Sequence, residues 1–221
     1  MFTSVRRRQT LTTILAQVPT RSRRKAKGDG HLRRGEILSA AERIFVEYGY
    51  EGATIRKIAD EVGVSSTALY MHFRDKNEIL VEICSDTVSR MIAANEALLA
   101  QDMDPVLRVR GMLEGYVQFG FEHSNAYRLV FCPVSVEPHA DGRAELTALG
   151  VRCFELFSSA VAEISSAGRL KTDDVAAASQ VLWMAPHGLI SLMITRPSFS
   201  WSDRQRLVAL MLDCVFDGLV I

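Results

Sequence analysis

From Leu32 to Leu219 apolar residues recur every three or four positions, and no segment alternates apolar with polar side chains over the length of a strand. A period near 3.6 places such residues on one face of a helix, whereas a half-buried strand needs a period of two. The chain is therefore expected to be all-α, built by packing apolar stripes against one another. At 221 residues it is long enough to bury one large core or two smaller ones.

The stripes can be followed element by element. Ile37, Leu38, Ala41, Ile44, Phe45 and Tyr48 form one face of a first helix, which Gly49 stops. Thr54 is a suitable N-cap for a second helix, with Ile55, Ile58, Ala59 and Val62 inward, and Gly63 supplies a turn. Ser65 or Ser66 caps a short third helix, and Asp75 opens a long fourth. Pro105 suits the first turn of a helix reaching about His123, and a shorter one follows from Ala126 to Phe131. Pro133, Pro138, Asp141 and Gly142 mark a loop. A helix over Arg143–Ser166 ends at Gly168, and one starting at Asp173 or Asp174 reaches Thr195, interrupted by Pro186. A last helix, capped by Ser202, reaches Leu219.

Charge divides the chain where hydropathy does not. The net charge is zero, yet residues 1–34 hold ten Lys or Arg and one acid, Asp29. The remaining residues hold 16 basic and 25 acidic side chains. A basic arm on an acidic body suits a polyanion partner; a merely solubilising tail would look similar. The expected organisation is a basic, disordered arm over 1–31, a DNA-binding unit over 32–78 and a helical body over 79–221. Leu11 to Val18 is too short and too polar for a signal peptide, and no run of roughly 18 consecutive apolar residues occurs. A cytoplasmic protein without a membrane partner is expected. Cys84, Cys132, Cys153 and Cys214 lack the paired spacing of a zinc or disulfide framework, so buried free thiols and no metal or other cofactor are expected.

Residues 54–73, TIRKIADEVGVSSTALYMHF, carry the most specific signal. A bracing helix is followed by a glycine turn and by a short helix whose N-terminus offers Ser65, Ser66 and Thr67, the small polar residues that a major groove admits. Ala59 is small where the two helices meet. The longer stretch from Ile37 to Leu80 resembles the DNA-binding domain of the TetR/AcrR family of regulators. That resemblance implies phosphate or base contacts from Thr54 and Arg56, base reading by Ser66, Thr67 and Ala68, and phosphate contacts from Tyr70, His72 and Lys76. Met71 occupies a variable position of the same surface, and position 66, often lysine in the family, is serine here. Tyr70 also reads as core with its hydroxyl at the rim, His72 as a spacer, and Arg56 as solvated charge.

The C-terminal half is similar to one class of TetR body. Tyr116 to Phe131 and Leu182 to Met193 carry the match, the latter with a tryptophan–histidine–glycine pattern at Trp183, His187 and Gly188. The resemblance implies a cavity for a small apolar ligand among Tyr116, Phe119, Tyr127, Phe131, Phe154 and Phe157, with Trp183 and His187 beside it. Simple core packing explains the same rings. For Trp183, Pro186, His187 and Gly188 a structural role is the stronger reading, Gly188 permitting close helix approach. Excess apolar surface on the last two helices points to a homodimer. The expected function is that of a ligand-released repressor of a palindromic operator. A DNA-binding protein that senses no ligand is the alternative. An enzyme using Cys153 and His187 has no supporting motif.

Overall fold

The computed structural model describes residues 30–131 and 140–221. The basic residues from Arg21 to Lys27, Cys132 and the turn at Pro133 and Pro138 lie outside the described residues. Nine helices occur among the described residues, with no strand beyond one isolated antiparallel bridge between Leu170 and Val220.

Helix α1 (Gly30–Gly52) buries Ile37, Ala41, Ile44 and Phe45. Tyr48, expected on that face, instead points outward and lies 3.8 Å from the Lys57 ammonium, ring centroid to Nζ. Gly49 breaks the regular helix at φ 68°, a conformation strained for any side chain with a Cβ, and one further turn ends at Gly52. Helix α2 (Ile55–Val62) is capped by Thr54, whose hydroxyl accepts the Lys57 N–H at 3.2 Å. Gly63 closes it at φ 72°, and α3 (Ser66–Tyr70) follows at once. Ser65 is the cap of α3, accepting the Ala68 N–H at 3.1 Å. Helix α4 (Lys76–Leu99) begins at Asp75, which accepts the Glu78 N–H at 2.8 Å; this bond holds its carboxyl below the usual range.

The body consists of α5 (Pro105–Glu122), α6 (Ser124–Phe131), α7 (Ala140–Ser166), α8 (Val175–Thr195) and α9 (Arg204–Leu219). Several boundaries differ from expectation for local reasons. Helix α6 begins at Ser124, two residues early, and the Tyr127 N–H bonds to the His123 carbonyl at 2.8 Å. Asp141 and Gly142 are helical, not loop. Asp203 rather than Ser202 caps α9, accepting the Arg206 N–H at 2.9 Å. Asp174 caps α8, and Pro186 sits within that helix without ending it.

Within this chain Gly188 meets no neighbouring helix, because a Cβ there would meet open space. Close helix approach belongs instead to Gly120 on α5. A Cβ at Gly120 would lie 2.8 Å from the Ile190 side chain and 3.2 Å from the Tyr127 ring. Cys84 is buried and its thiol is pushed up to about 12 by desolvation, whereas Cys214 is exposed, against the expectation of burial.

Two of the four apolar clusters among the described residues are the largest. One joins α1 to α4 through Phe45, Ile58, Ala59, Leu69, Phe73 and Ile79. The other lies in the body among Val109, Ile164, Leu182 and Leu212, with further residues of α5, α7, α8 and α9. Leu129 and Val130 of α6 and Leu146 of α7 pack against the first core from the body side. Among the described residues α8 alone is long and apolar enough, by length and composition, to cross a membrane. Its inward residues Ala178, Leu182 and Ile190 are fully buried in the body.

Candidate nucleic-acid interface and ligand cavity

The α2–α3 unit presents the expected reading residues to solvent. Leu69 is fully buried and Phe73 nearly so, which fixes the short helix from beneath and turns Thr67, Ala68 and Tyr70 outward. Tyr70 is 55% exposed and Met71 83% exposed, so the reading of Tyr70 as core is not what the packing gives. Ser66 is half-buried. Arg56 stands out from α2 with only a loose ion pair to Asp60 at 3.8 Å, and an exposed pair of this kind is weak enough to be exchanged for a phosphate. Thr54 and Ser65 use their hydroxyls as caps, and Thr54 remains exposed.

Two cations are held differently from the rest. Lys76 donates to the Tyr50 carbonyl at 2.8 Å and lies 4.0 Å from the centroid of the Tyr50 ring. Its ammonium thus neutralises the C-terminal end of α1 as well as opening α4. Arg34, counted with the basic arm by its sequence position, is not part of a free patch. Its guanidinium forms a bidentate pair with Glu82, donates to the His72 carbonyl and stacks over Phe73 at 4.1 Å. Arg34 therefore clamps the start of α1 to the end of α3 and to α4, and holds His72 in place. No periodicity distinguishes it from its neighbours; only the acid Glu82, 48 residues on, selects it.

Helices α4, α5, α6 and α7, with Trp183 of α8, surround a cavity of about 720 Å³. Tyr116, Phe119, Phe131, Phe154, Phe157 and Trp183 line it, as expected. Tyr127 and His187 do not: they sit one layer behind Tyr116. The Tyr116 hydroxyl lies 2.9 Å from that of Tyr127 and 3.0 Å from His187 Nδ1, and Tyr127 Oη lies 2.7 Å from Nδ1. Burial lowers the His187 pKa and raises that of Tyr116, so the imidazole and phenol are both neutral.

Trp183 Nε1–H donates to the Tyr116 hydroxyl at 3.4 Å, and His187 Nε2 lies 3.5 Å from Ser191 Oγ, so the two hydroxyls, the indole and the imidazole form one connected network. These contacts place His187 in a side-chain network behind Tyr116. Burial also pushes the Cys153 thiol up, opposite to what a nucleophile requires.

The cavity and the DNA-binding unit share a wall. Leu80 and Cys84 belong to the first core and line the cavity, and Leu129 and Val130 pack against that core from the cavity side. Nothing in the amino-acid pattern signals this shared wall, because α6 carries too few residues to display two faces.

Comparison with known proteins agrees with both halves. Residues 37–83 match bacterial regulatory proteins of the tetR family, and residues 109–215 match the tetracyclin repressor-like C-terminal domain. The chain is 35% identical over 99 residues to the HTH-type transcriptional activator FasR of Mycolicibacterium smegmatis, covering 45% of each chain. It is 43% identical over 60 residues to the repressor AcnR of Corynebacterium diphtheriae, covering 27% of this chain and 32% of that one. The chain thus spans less than half the length of these curated relatives. The crystal structure of the TetR family regulator PfmR from Thermus thermophilus superposes with a TM-score of 0.69 at 26% identity, covering 82% of this chain and 97% of that one. With both characteristic domains present in order, and a solved member aligned along most of its length, the chain belongs to the TetR family of bacterial regulatory proteins.

Proposed function

We propose that this chain is a cytoplasmic transcriptional regulator that binds a palindromic operator as a homodimer and is released from it by a small, largely apolar ligand. The observation that carries the reading is the shared wall: Leu80, Cys84, Leu129 and Val130 touch both the cavity and the core beneath α3. Filling the cavity shifts residues that set the tilt of α4, and α4 carries the DNA-binding unit. Repression follows the repressors among its relatives; FasR is an activator, so the sign of regulation is separable from the mechanism.

The DNA surface comprises Thr54, Arg56, Ser65, Ser66, Thr67, Ala68, Tyr70, Met71 and His72. Lys76 serves it chiefly by fixing the end of α1. One five-residue helix reads too little sequence alone, so two copies are needed. The outward faces of α8 and α9 support their pairing. Val181, Met184 and Leu192 of α8 and Leu210 of α9 are exposed, and Gly188 and Gly218 offer bare backbone on open sides. Leu182 belongs to the body core and is not available for that face. Two helices from each copy would form an isologous four-helix bundle.

Selection of bound DNA from a random pool tests the reading. Two half-sites related by a two-fold axis are expected, with centres about 34–36 Å apart or a multiple of that. Recovery of single asymmetric sites only, or a monomer by sedimentation at micromolar concentration, contradicts it.

A further inference from the structure

The exposed rim of the cavity is not uniformly apolar. Arg90 of α4 is one of its lining residues, with Gln118 and Glu122 of α5 and Arg143 and Thr147 of α7. The Gln118 amide donates to Glu122 at 2.9 Å, which satisfies part of that carboxylate within its own helix. Arg90 is placed over the cavity wall: its guanidinium carbon lies 5.7 Å from the centroid of Phe119, whose ring is itself 4.7 Å from that of His123. Its ion-pair partner is Asp86, one turn earlier, at 3.0 Å, and both side chains are about half exposed.

We infer that Arg90 is the anion-reading residue of the ligand site, so that the ligand is an amphiphile with a long apolar body and a carboxylate head. This rests on the ligand-binding reading above and names the ligand's chemistry. An exposed intrahelical pair contributes little to stability, so a ligand carboxylate can exchange for Asp86 at small net cost. The guanidinium holds Asp86 through one nitrogen, and its planar fork suits a ligand carboxylate in that place. By contrast, Arg108, the buried arginine of α5, does not line the cavity and is held by Glu163 and the Gln101 carbonyl.

The exchange also reaches α1. Burial pushes the Glu42 carboxyl of that helix up, and the positive charge of Arg90 acts against that rise. Drawing the Arg90 charge toward a ligand removes part of the field that compensates Glu42 and Asp86. The α1–α4 junction then becomes more negative as the cavity fills.

Isothermal titration of the full chain with dodecanoate and with dodecan-1-ol tests the inference, with Trp183 emission reporting entry into the cavity. The wild type is expected to favour dodecanoate by about tenfold in Kd, the scale of one charge-assisted hydrogen bond. Arg90→Gln, at an exposed position, is expected to fold normally by circular dichroism, to bind dodecan-1-ol as before and to lose the preference. Equal affinities in the wild type overturn the anion site while leaving the cavity reading intact. A preference that survives Arg90→Gln but disappears in Arg143→Gln overturns the assignment to Arg90. Binding of neither compound contradicts both this inference and the reading of the cavity as a ligand site.

Discussion

At the recognition end a five-residue helix is shaped by local signals, with Ser65 capping it and Gly63 turning into it, and is then seated by Leu69 in the α1–α4 core and by the Arg34 clamp on His72. At the cavity end the important contacts span 60 to 71 residues, from Tyr116 and Tyr127 to His187. The first region is laid out by caps and turns that leave its backbone few alternatives. The second is defined only once five helices have met, and it encloses space rather than filling it. The difference teaches where each function belongs: reading needs fixed side chains on a supported helix, and sensing needs a packed but incompletely filled region whose walls can move.

The largest expected effect lies where the comparison is sharpest. Phe73→Ala removes a ring buried beneath α3 and is expected to cost about 3–5 kcal/mol by denaturant unfolding, with loss of DNA binding. If stability fell while DNA affinity held, the recognition helix would not depend on that anchor. Next is Gly120→Ala, which forces a methyl group against Ile190 and the Tyr127 ring. A loss of about 1–3 kcal/mol is expected, with altered Trp183 emission and a small change in the DNA affinity of the folded fraction. An unchanged melting temperature would mean that α5 and α8 approach less closely than described.

Arg34→Gln is expected to cost on the order of 1 kcal/mol, reduced by the partial exposure of the pair. It should weaken DNA binding at every sequence, because it frees His72 and the end of α3 without changing a base-reading residue. A changed base preference would show that Arg34 itself meets DNA.

The smallest expected effect is in pH. His187 has a folded pKa below its ordinary value because burial penalises the imidazolium. Below about pH 6.5 the unfolded chain therefore binds more protons than the folded one, and stability falls as pH is lowered through that region. His187→Gln is expected to flatten this slope in thermal melts from about pH 5 to 7.5, the range spanning the ordinary histidine pKa; an identical slope would place the titration elsewhere.

Legibility in the sequence follows the same division. The helices of the recognition end can be read because caps, turns and apolar stripes are local signals: Thr54, Gly63 and Asp75 stand where the pattern expects them. The ring set of the cavity follows from family resemblance, and Tyr116, Phe119, Phe131, Phe154, Phe157 and Trp183 do line the space. What cannot be read depends on packing between distant segments. Tyr127 of α6 and His187 of α8 meet the Tyr116 hydroxyl instead of the cavity, a contact between three helices that no local pattern signals. Gly120, not Gly188, is the crossing point, and nothing local separates one helical glycine from another. Arg34 looks like part of the basic arm until the fold sets Glu82 against it.

The central claim is that cavity occupancy and operator binding are coupled through the wall formed by Leu80, Cys84, Leu129 and Val130. Its most direct test is to measure the affinity of a selected operator fragment with and without a compound retained from a thermal-shift screen, and the compound's affinity with and without operator. The account expects the compound to weaken operator binding by roughly 5–150-fold, and operator to weaken compound binding by the same factor, as linkage requires. Equal affinities in both directions, for a compound shown by Trp183 emission to occupy the cavity, would contradict it.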